Sequence, residues 1–184
     1  MGKKVGSCFF SDICVFSFHP VKIITTGEGG MILTNKKILD TRVKILRTSG
    51  IQKNLTKAKF SKNGNWFYEQ LMLGYNYRMN DLSAALGLSQ LKKVNKFVKK
   101  RNKIAKIYFK NLKNYPIKFQ LINKKIISSY HLFLILVEKS IRKKLFNVLR
   151  KHGYYVNIHY IPIHLQPYYK KLGFKKGMFP MAEK

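Results

Sequence analysis

Two short apolar segments joined by a polar, glycine-rich connection constrain the fold of this chain more than any other feature of its sequence. The apolar segments cover residues 13–18 and 31–34. Short apolar runs bounded by turn residues are typical of buried strands. We therefore predict two strands of an α/β core, with Lys22 in the short connection between them.

The neighbours of Lys22 distinguish it from the other lysines, which crowd predicted helix faces and loops. Hydroxyls and an imidazole lie close in sequence, and glycines there let the backbone approach a ligand closely. These neighbours are Ser17, His19, Thr25, Thr26, Gly27, Gly29 and Gly30. A lysine among such groups can attack a carbonyl to form a Schiff base, which is how pyridoxal phosphate is held. From spacing alone, a solvated surface lysine and a Schiff-base lysine both stay open.

The same stretch resembles the active-site segment of the DegT/StrS-type nucleotide-sugar aminotransferases, which are fold-type I pyridoxal-phosphate enzymes. Residues 17–30 read Ser-Phe-His-Pro-Val-Lys-Ile-Ile-Thr-Thr-Gly-Glu-Gly-Gly. Ile23 departs from the family pattern: the subgroup that acts in pseudaminic acid synthesis usually has proline at this position. The resemblance continues in order through residues 47–50, 66–70, 74–78, 84–91 and 159–169.

The resemblance implies a fold class and a domain division. We expect an α/β chain with part of a fold-type I large domain, followed by an incomplete smaller α+β domain. The large-domain part is predicted over residues 1–95 and the small domain over residues 96–184. The family pattern extends beyond both ends of the resemblance, and it includes an aspartate for the pyridinium nitrogen. We therefore expect a fragment that is inactive alone.

The resemblance also implies a chemistry for named residues. Lys22 would be the catalytic residue and would hold the cofactor, pyridoxal 5′-phosphate. Ser17 would bind the cofactor phosphate, and Asn76 would reach the phosphate in a neighbouring subunit, so that a homodimer shares its active sites. The reaction would transfer an amino group, from glutamate, to a UDP-linked 4-keto-6-deoxy-N-acetylhexosamine. Pseudaminic acid or related surface-polysaccharide synthesis is the implied pathway.

Structural alternatives remain for most of these residues. His19, His159 and Tyr160 are candidates for substrate binding, but each could equally be a satisfied structural group. Ser17 could bond the main chain at a strand end, and Asn76 could bond its own backbone in a loop. The role of Arg78 is left undecided between structure and substrate.

Composition limits the other classes of function. The net charge is +30, from 37 Lys and Arg against 7 Asp and Glu, which raises a nucleic-acid hypothesis. The lysines are spread along the whole chain together with abundant Asn, Ile, Phe and Tyr, which favours a codon bias of an AT-rich genome. Two cysteines, Cys8 and Cys14, indicate neither a disulfide framework nor a metal site. No membrane span or signal peptide is expected, so we predict a cytoplasmic protein.

Periodicity predicts the remaining elements. Helices are expected over residues 36–47, over residues 81–109 with Asn80 as N-cap, and after Ser140 as a second cap. Strands are expected over residues 130–137 and 156–158, and the polar residues 52–65 are expected to form a surface loop.

Two rival hypotheses belong to other classes. The first is a non-catalytic remnant, or a half-subunit that folds with a partner chain. The second is a basic nucleic-acid-binding module, which predicts tight binding with a steep dependence on salt.

Overall fold

The computed structural model describes residues 2–52, 64 and 66–183, so the predicted loop over 52–65 lies almost wholly outside the described residues. The chain divides into two compact units. The first contains Met1–Tyr115 and Gln120–Leu134, and the second contains Pro116–Phe119 and Ile135–Lys184. The predicted domain boundary between residues 95 and 96 stays a prediction.

The first unit opens with the predicted pair of strands. Strand β1 (Cys14–Ser17) and strand β2 (Gly30–Leu33) pair antiparallel. Cys14 lies opposite Leu33, and Ser17 lies opposite Gly30. A Cβ on Gly30 would lie 2.8 Å from the carbonyl oxygen of Phe16, so glycine permits the close approach of the two strands.

Helix α1 (Lys37–Leu46) follows β2 and matches the predicted helix. Beyond its end, the chain pairs with a later segment through β3 (Ile51–Gln52) and β4 (Glu69–Gln70). The amide of Ser49 donates to the carbonyl of Tyr75 at 2.8 Å, which continues this pairing.

Helix α2 (Asp81–Leu91) begins where the sequence predicts, because the Oδ1 of Asn80 accepts a hydrogen bond from the Ser83 amide at 2.8 Å. The prediction of one continuous helix to residue 109 is wrong. A separate helix, α3 (Val94–Leu112), follows a break at Lys92 and Lys93. There the amide of Lys93 donates to the Gln90 carbonyl at 2.9 Å, a three-residue bond that tightens the end of α2.

The predicted strand over 130–137 is also wrong in extent. Tyr130 has a φ of +43°, which is incompatible with an extended strand. The Nη1 of Arg101 on α3 donates to the carbonyls of Tyr130 at 3.0 Å and His131 at 3.3 Å. These carbonyls are therefore bound to a side chain rather than to a neighbouring strand.

The second unit contains a short sheet of β5 (Lys118–Phe119) and β6 (Ile135–Leu136). Helix α4 (Lys139–Lys151) follows, with Glu138 rather than Ser140 at its N-cap, so the predicted cap is wrong. Residues 156–158 form no strand in the part of the chain that is described. A 3₁₀ turn (Ile163–Leu165) and two short helices, α5 (Pro167–Lys171) and α6 (Pro180–Glu183), complete this unit.

Little apolar surface is fully buried. Among the described residues, the buried hydrophobic side chains are Ile45 at 8% exposed and Ala105 at 2%. No helix in the described ranges has both the length and the apolar character that crossing a membrane requires.

Candidate active site around Lys22

Two backbone hydrogen bonds to Phe18 close the connection between β1 and β2. The Phe18 amide donates to the Gly29 carbonyl at 2.8 Å, and the Phe18 carbonyl accepts from the Thr26 amide at 3.1 Å. Inside this loop, the Lys22 amide donates to the His19 carbonyl at 2.9 Å, which forms a tight turn. Lys22 is half-buried, and the connection that carries it is held at both ends by the bonds to Phe18.

The two threonines of the connection hold its shape. The hydroxyl of Thr25 donates to the Phe18 carbonyl at 2.9 Å and accepts from the Gly27 amide at 3.0 Å. The hydroxyl of Thr26, which is 4% exposed, donates to the Glu28 carbonyl at 2.7 Å. Both hydroxyls are thus engaged with the main chain, so their role in this structure is to order the connection.

Each glycine of the connection is present for a different structural reason. Gly29 has a φ of +150°, and a Cβ there would lie 2.5 Å from the Thr26 hydroxyl oxygen. Gly27 has a φ of +80° but faces open space, with no atom within 4 Å of an added Cβ. Gly87 of α2 lets the methyl group of Thr26 pack close, because its own Cβ would lie 2.8 Å from that methyl. The Lys22 connection is therefore packed against α2.

Ser17 and His19 lie beside this connection. Both side chains are exposed, and the Oγ of Ser17 accepts a long hydrogen bond of 3.4 Å from the His19 amide. The Nε2 of His19 lies 3.9 Å from Glu28 Oε1. The structure brings Ser17, His19 and Lys22 to one end of β1.

Asn76 lies on another part of the first unit. Its backbone bridges to Thr48 just after α1, and its side chain is exposed. The Nε of Arg78 donates to the Oδ1 of Asn76 at 2.8 Å. Because Oδ1 faces Arg78, the amide NH₂ of Asn76 points away from it. The role of Arg78 was undecided from the sequence, and here its side chain orients that of Asn76.

His159 and Tyr160 belong to the second compact unit. Their rings meet edge to face with centroids 4.3 Å apart, and both side chains are exposed. Their substrate-binding role stays a prediction.

A basic, aromatic groove in the first unit was not predicted. It has a volume of about 550 Å³, and Ile23, the residue after Lys22, lines it. Aromatic side chains form much of its wall, and Lys100 and Arg101 of α3 border it; the aromatic residues are Phe97, Tyr108, Tyr130 and Phe133. The series of Lys and Arg residues along α3 is visible in the sequence. Their position beside Ile23 depends on tertiary packing, which the sequence pattern does not show.

A buried contact between a histidine and a carboxylate in the second unit was also missed. The Nε2 of His164 lies 2.8 Å from Glu183 Oε1, and both side chains are nearly buried. The same carboxylate accepts from the Gly177 amide at 2.8 Å. The hydrogen bond from His164, aided by the amides of Gly177 and Phe179, holds the pKa of Glu183 below its usual value, although burial opposes the shift.

The sequence profile of the DegT/DnrJ/EryC1/StrS aminotransferase family matches residues 1–184, the whole chain. The chain belongs to this family. The resemblance seen at the Lys22 stretch is thereby confirmed for the entire sequence.

The chain is also similar in sequence to individual proteins. An uncharacterized protein of Methanocaldococcus jannaschii is 40% identical over 99% of this chain. The UDP-4-amino-4,6-dideoxy-N-acetyl-β-L-altrosamine transaminase of Campylobacter jejuni is 40% identical over 93% of this chain. The chain spans 48% of the first relative and 44% of the second, about half of their length.

Solved structures of the family agree with the fold. A putative sugar aminotransferase of Streptococcus pneumoniae, in its PMP form, has a TM-score of 0.85 at 30% identity. The match covers 96% of this chain and 46% of the Streptococcus pneumoniae chain. The aminotransferase PseC of Helicobacter pylori, involved in pseudaminic acid biosynthesis, has a TM-score of 0.80 at 33% identity and covers 95% of this chain, which spans 46% of it. The expected fold class, part of a fold-type I aminotransferase, is confirmed.

The donor set at the end of β1 suits the cofactor that the family implies. An amine, a small hydroxyl and a backbone turn with open space at Gly27 are present. A neutral hydroxyl donates to a phosphate oxygen, and an amine reacts with an aldehyde. The residues present therefore fit pyridoxal phosphate.

Proposed function

We propose that this chain forms the lysine-bearing part of a pyridoxal-phosphate-dependent nucleotide-sugar aminotransferase. The observation that carries the proposal is the connection of Lys22, which is closed on Phe18 and packed through Thr26 against Gly87. Its sequence is the stretch by which the chain resembles the active site of its family. When bound, pyridoxal phosphate supplies an electron sink for the carbon that loses a proton.

The chain's own residues would divide the work. The Nζ of Lys22 would hold the cofactor's aldehyde carbon and would move a proton at the reacting carbon once it is released. The Oγ of Ser17 would donate to the cofactor phosphate. His19, His159 and Tyr160 would contact the sugar substrate, for which exposed imidazole and phenol groups are suitable donors and acceptors.

Asn76 supports a proposal of a homodimer. Its exposed side chain is oriented by Arg78 and has an amide NH₂ available for a ligand outside its own connection. In the proposed dimer it would donate to the phosphate in the neighbouring subunit's site. Activity would then require association.

The substrate proposal follows the relatives. One relative is a UDP-amino-dideoxy-N-acetyl-altrosamine transaminase, so we propose a UDP-linked 4-keto-6-deoxy-N-acetylhexosamine as acceptor and glutamate as donor. Pseudaminic acid or a related surface polysaccharide would be the end product. The two free cysteines, Cys8 and Cys14, fit a reducing compartment, and we propose the cytoplasm.

The test is covalent labelling of the purified chain. We expect that pyridoxal phosphate followed by borohydride modifies Lys22 selectively, as mapped by mass spectrometry. The variant Lys22→Ala should lose this label, whereas Lys36→Ala, which removes a lysine that pairs with Asp12 at 2.7 Å, should keep it. Labelling scattered over many lysines and unchanged in Lys22→Ala would refute the site.

The same preparation separates the rival hypotheses. Selective labelling without transamination fits a half-subunit that needs a partner chain. Absence of both fits a non-catalytic remnant. Tight binding to nucleic acid that falls steeply with salt concentration would favour the basic binding module instead.

A further inference from the structure

A row of lysines runs along one side of α3. At about 100° and about 1.5 Å per residue, their positions fall within about 80° of the helix circumference and extend about 21 Å along its axis. All of these lysines are exposed. We call them the lysine row, and they are Lys96, Lys99, Lys103, Lys106 and Lys110.

The opposite side of α3 packs within its own unit. Ala105, which is 2% exposed, lies about 180° around the helix from the middle of the row. Phe97 and Tyr108 line the groove on that side. The ring of Phe109 contacts that of Phe133, with centroids 5.0 Å apart. The packing of α3 therefore does not use the lysine row, which faces solvent.

The lysine row has no acidic neighbours in sequence. Residues 82–137 contain 13 Lys and Arg and no Asp or Glu. The ion pairs of the described part of the chain involve none of the five lysines. Successive members are three or four residues apart, and like charges at these spacings destabilise a helix. Exposure alone does not produce the row, because Asn95, Ile104 and Ile107 of α3 are exposed as well.

The shape and chemistry of the row do not suit a nucleic acid. A strand of B-DNA winds once around its axis in about 34 Å, so a straight row of about 21 Å cannot follow its phosphates. Binding of single strands uses aromatic side chains on which bases stack, whereas Phe97 and Tyr108 line the groove on the other side of α3. The row also contains no arginine, the residue that makes bidentate bonds to fixed phosphates.

A flat surface of anionic lipids suits the row. Five ammonium groups along one side of a straight helix can contact a plane at the same time, and mobile headgroups adjust to their spacing. Lysine is a strongly hydrated point charge on a flexible stem, which favours contact at the headgroups without insertion. Each lysine near an anionic leaflet strengthens binding by about fivefold, so five lysines strengthen it on the order of a thousandfold.

We propose that the lysine row of α3 binds the anionic lipid surface of a membrane. The contact is peripheral, reversible and electrostatic, between lysine ammonium groups and the phosphate groups of the headgroups. The inference goes beyond the proposed function and does not depend on it, because Lys22 is not part of the lysine row.

The experiment is co-sedimentation of the purified chain with sucrose-loaded vesicles of phosphatidylcholine, with and without phosphatidylglycerol. We expect the bound fraction to rise with the fraction of phosphatidylglycerol and to be small on phosphatidylcholine alone. Raising NaCl from about 0.1 M to about 0.5 M should weaken binding by at least about tenfold, because salt screens the exposed charges.

Two variants of equal net charge separate the row from the charge of the whole chain. The row variant replaces its five lysines by glutamine, which also forms helices well. The control variant replaces five exposed lysines elsewhere by glutamine, so that each variant lowers the net charge of +30 by five. The control positions are Lys4, Lys124, Lys125, Lys175 and Lys176.

The two variants should differ clearly in lipid binding. We expect the row variant to bind vesicles with phosphatidylglycerol at least about thirtyfold more weakly, and the control variant less than about threefold more weakly. Circular dichroism checks that both are folded. If the row variant is not folded, Lys99→Gln, Lys103→Gln and Lys106→Gln combined serve instead, with an expected loss of at least about tenfold.

Three results would overturn the inference. The first is an equal loss in the row and control variants, which would show that net charge alone drives binding. The second is equal binding to vesicles with and without phosphatidylglycerol. The third is tighter binding to single-stranded or duplex DNA that the row variant loses, which would make nucleic acid the partner. Since pyridoxal phosphate is absent from these measurements, none of the three results bears on selective labelling at Lys22.

Discussion

Thr26 is the residue through which the Lys22 connection is anchored. It is the most buried polar residue of the connection, and its two branches do different work. The hydroxyl fixes the Glu28 carbonyl at 2.7 Å, and the methyl group packs where Gly87 leaves room. Thr26 therefore determines where the connection that carries Lys22 lies on α2.

This packing predicts the effect of Gly87→Ala. Alanine inside a helix is usually more stable than glycine by about 0.5–1 kcal/mol. Here the new Cβ would lie 2.8 Å from the Thr26 methyl carbon, so the cost of the clash should exceed that gain. We expect Gly87→Ala to destabilise the chain by about 1 kcal/mol, measured by urea denaturation.

The control is a double-mutant cycle with Thr26→Ser, which removes the methyl group and keeps the hydroxyl. In the Thr26→Ser background, Gly87→Ala should be neutral or stabilising, with a coupling energy of about 1 kcal/mol or more. Equal effects in both backgrounds would show that the two residues do not press on each other. Slower labelling of Lys22 in Gly87→Ala alone would connect this packing to the site.

At the scale of elements, the His164–Glu183 pair joins the 3₁₀ turn to α6. The carboxylate of Glu183 accepts from His164 and from the amides of Gly177 and Phe179. The edge of the His164 ring also meets Phe179, with centroids 4.8 Å apart. The end of the second unit is therefore held by one carboxylate.

This contact predicts a dependence of stability on acid. Hydrogen bonding lowers the pKa of Glu183 in the folded chain from its usual 4.5. A lowered folded-state pKa gives stability that is present above the unfolded-state value and is lost as the pH falls through the folded-state value. We expect thermal unfolding temperatures to fall as the pH drops below about 4.5, and Glu183→Gln to flatten this dependence.

Glu138→Gln is the matched control for that prediction. Glu138 is the N-cap of α4, and its side chain makes no capping bond. Its variant should keep the acid dependence of the parent chain. If Glu183→Gln and Glu138→Gln show the same dependence of unfolding temperature on pH, the loss of stability in acid arises from other groups.

The same elements show what local sequence determines. The start of α2 was predictable because Asn80 and Asp81 are cap and first-turn residues whose effect is local. The break between α2 and α3 contains no glycine or proline, so no local signal marks it. The apolar run after Tyr130 was predicted as a strand because the contact from Arg101, 29 residues away, is invisible to periodicity.

Of the candidate site, the short Lys22 connection could be predicted from the sequence, whereas the groove that Ile23 lines could not. Lys22 and Ser17 were proposed as site residues because the connection has a recognisable order of residues over a short stretch, and their roles stay predictions. The groove beside Ile23 was not, because its walls come from α3 and from the segment at Tyr130. A short motif predicts chemistry, whereas a binding surface requires knowledge of which elements pack together.

At the scale of the whole molecule, the charge balance opposes compactness. With 37 basic and 7 acidic residues, most lysines have no acidic partner. The described ion pairs of Lys36, Lys37 and Lys44 involve only Asp12 and Asp40. Repulsion among the remaining cations should destabilise the folded chain at low ionic strength.

Added salt should weaken this repulsion between the cations. Raising NaCl from about 50 mM to about 500 mM shortens the screening length to a few ångströms, so the free energy of unfolding should rise on the order of 1 kcal/mol. Urea must be the denaturant, because guanidinium is itself a salt. Replacing the exposed Lys99, Lys103 and Lys106 of α3 by glutamine should reduce the salt dependence, because it removes part of the repulsion. Screening should level off above about 0.5 M, whereas a rise that continues linearly into the molar range would indicate exclusion of salt from the surface instead.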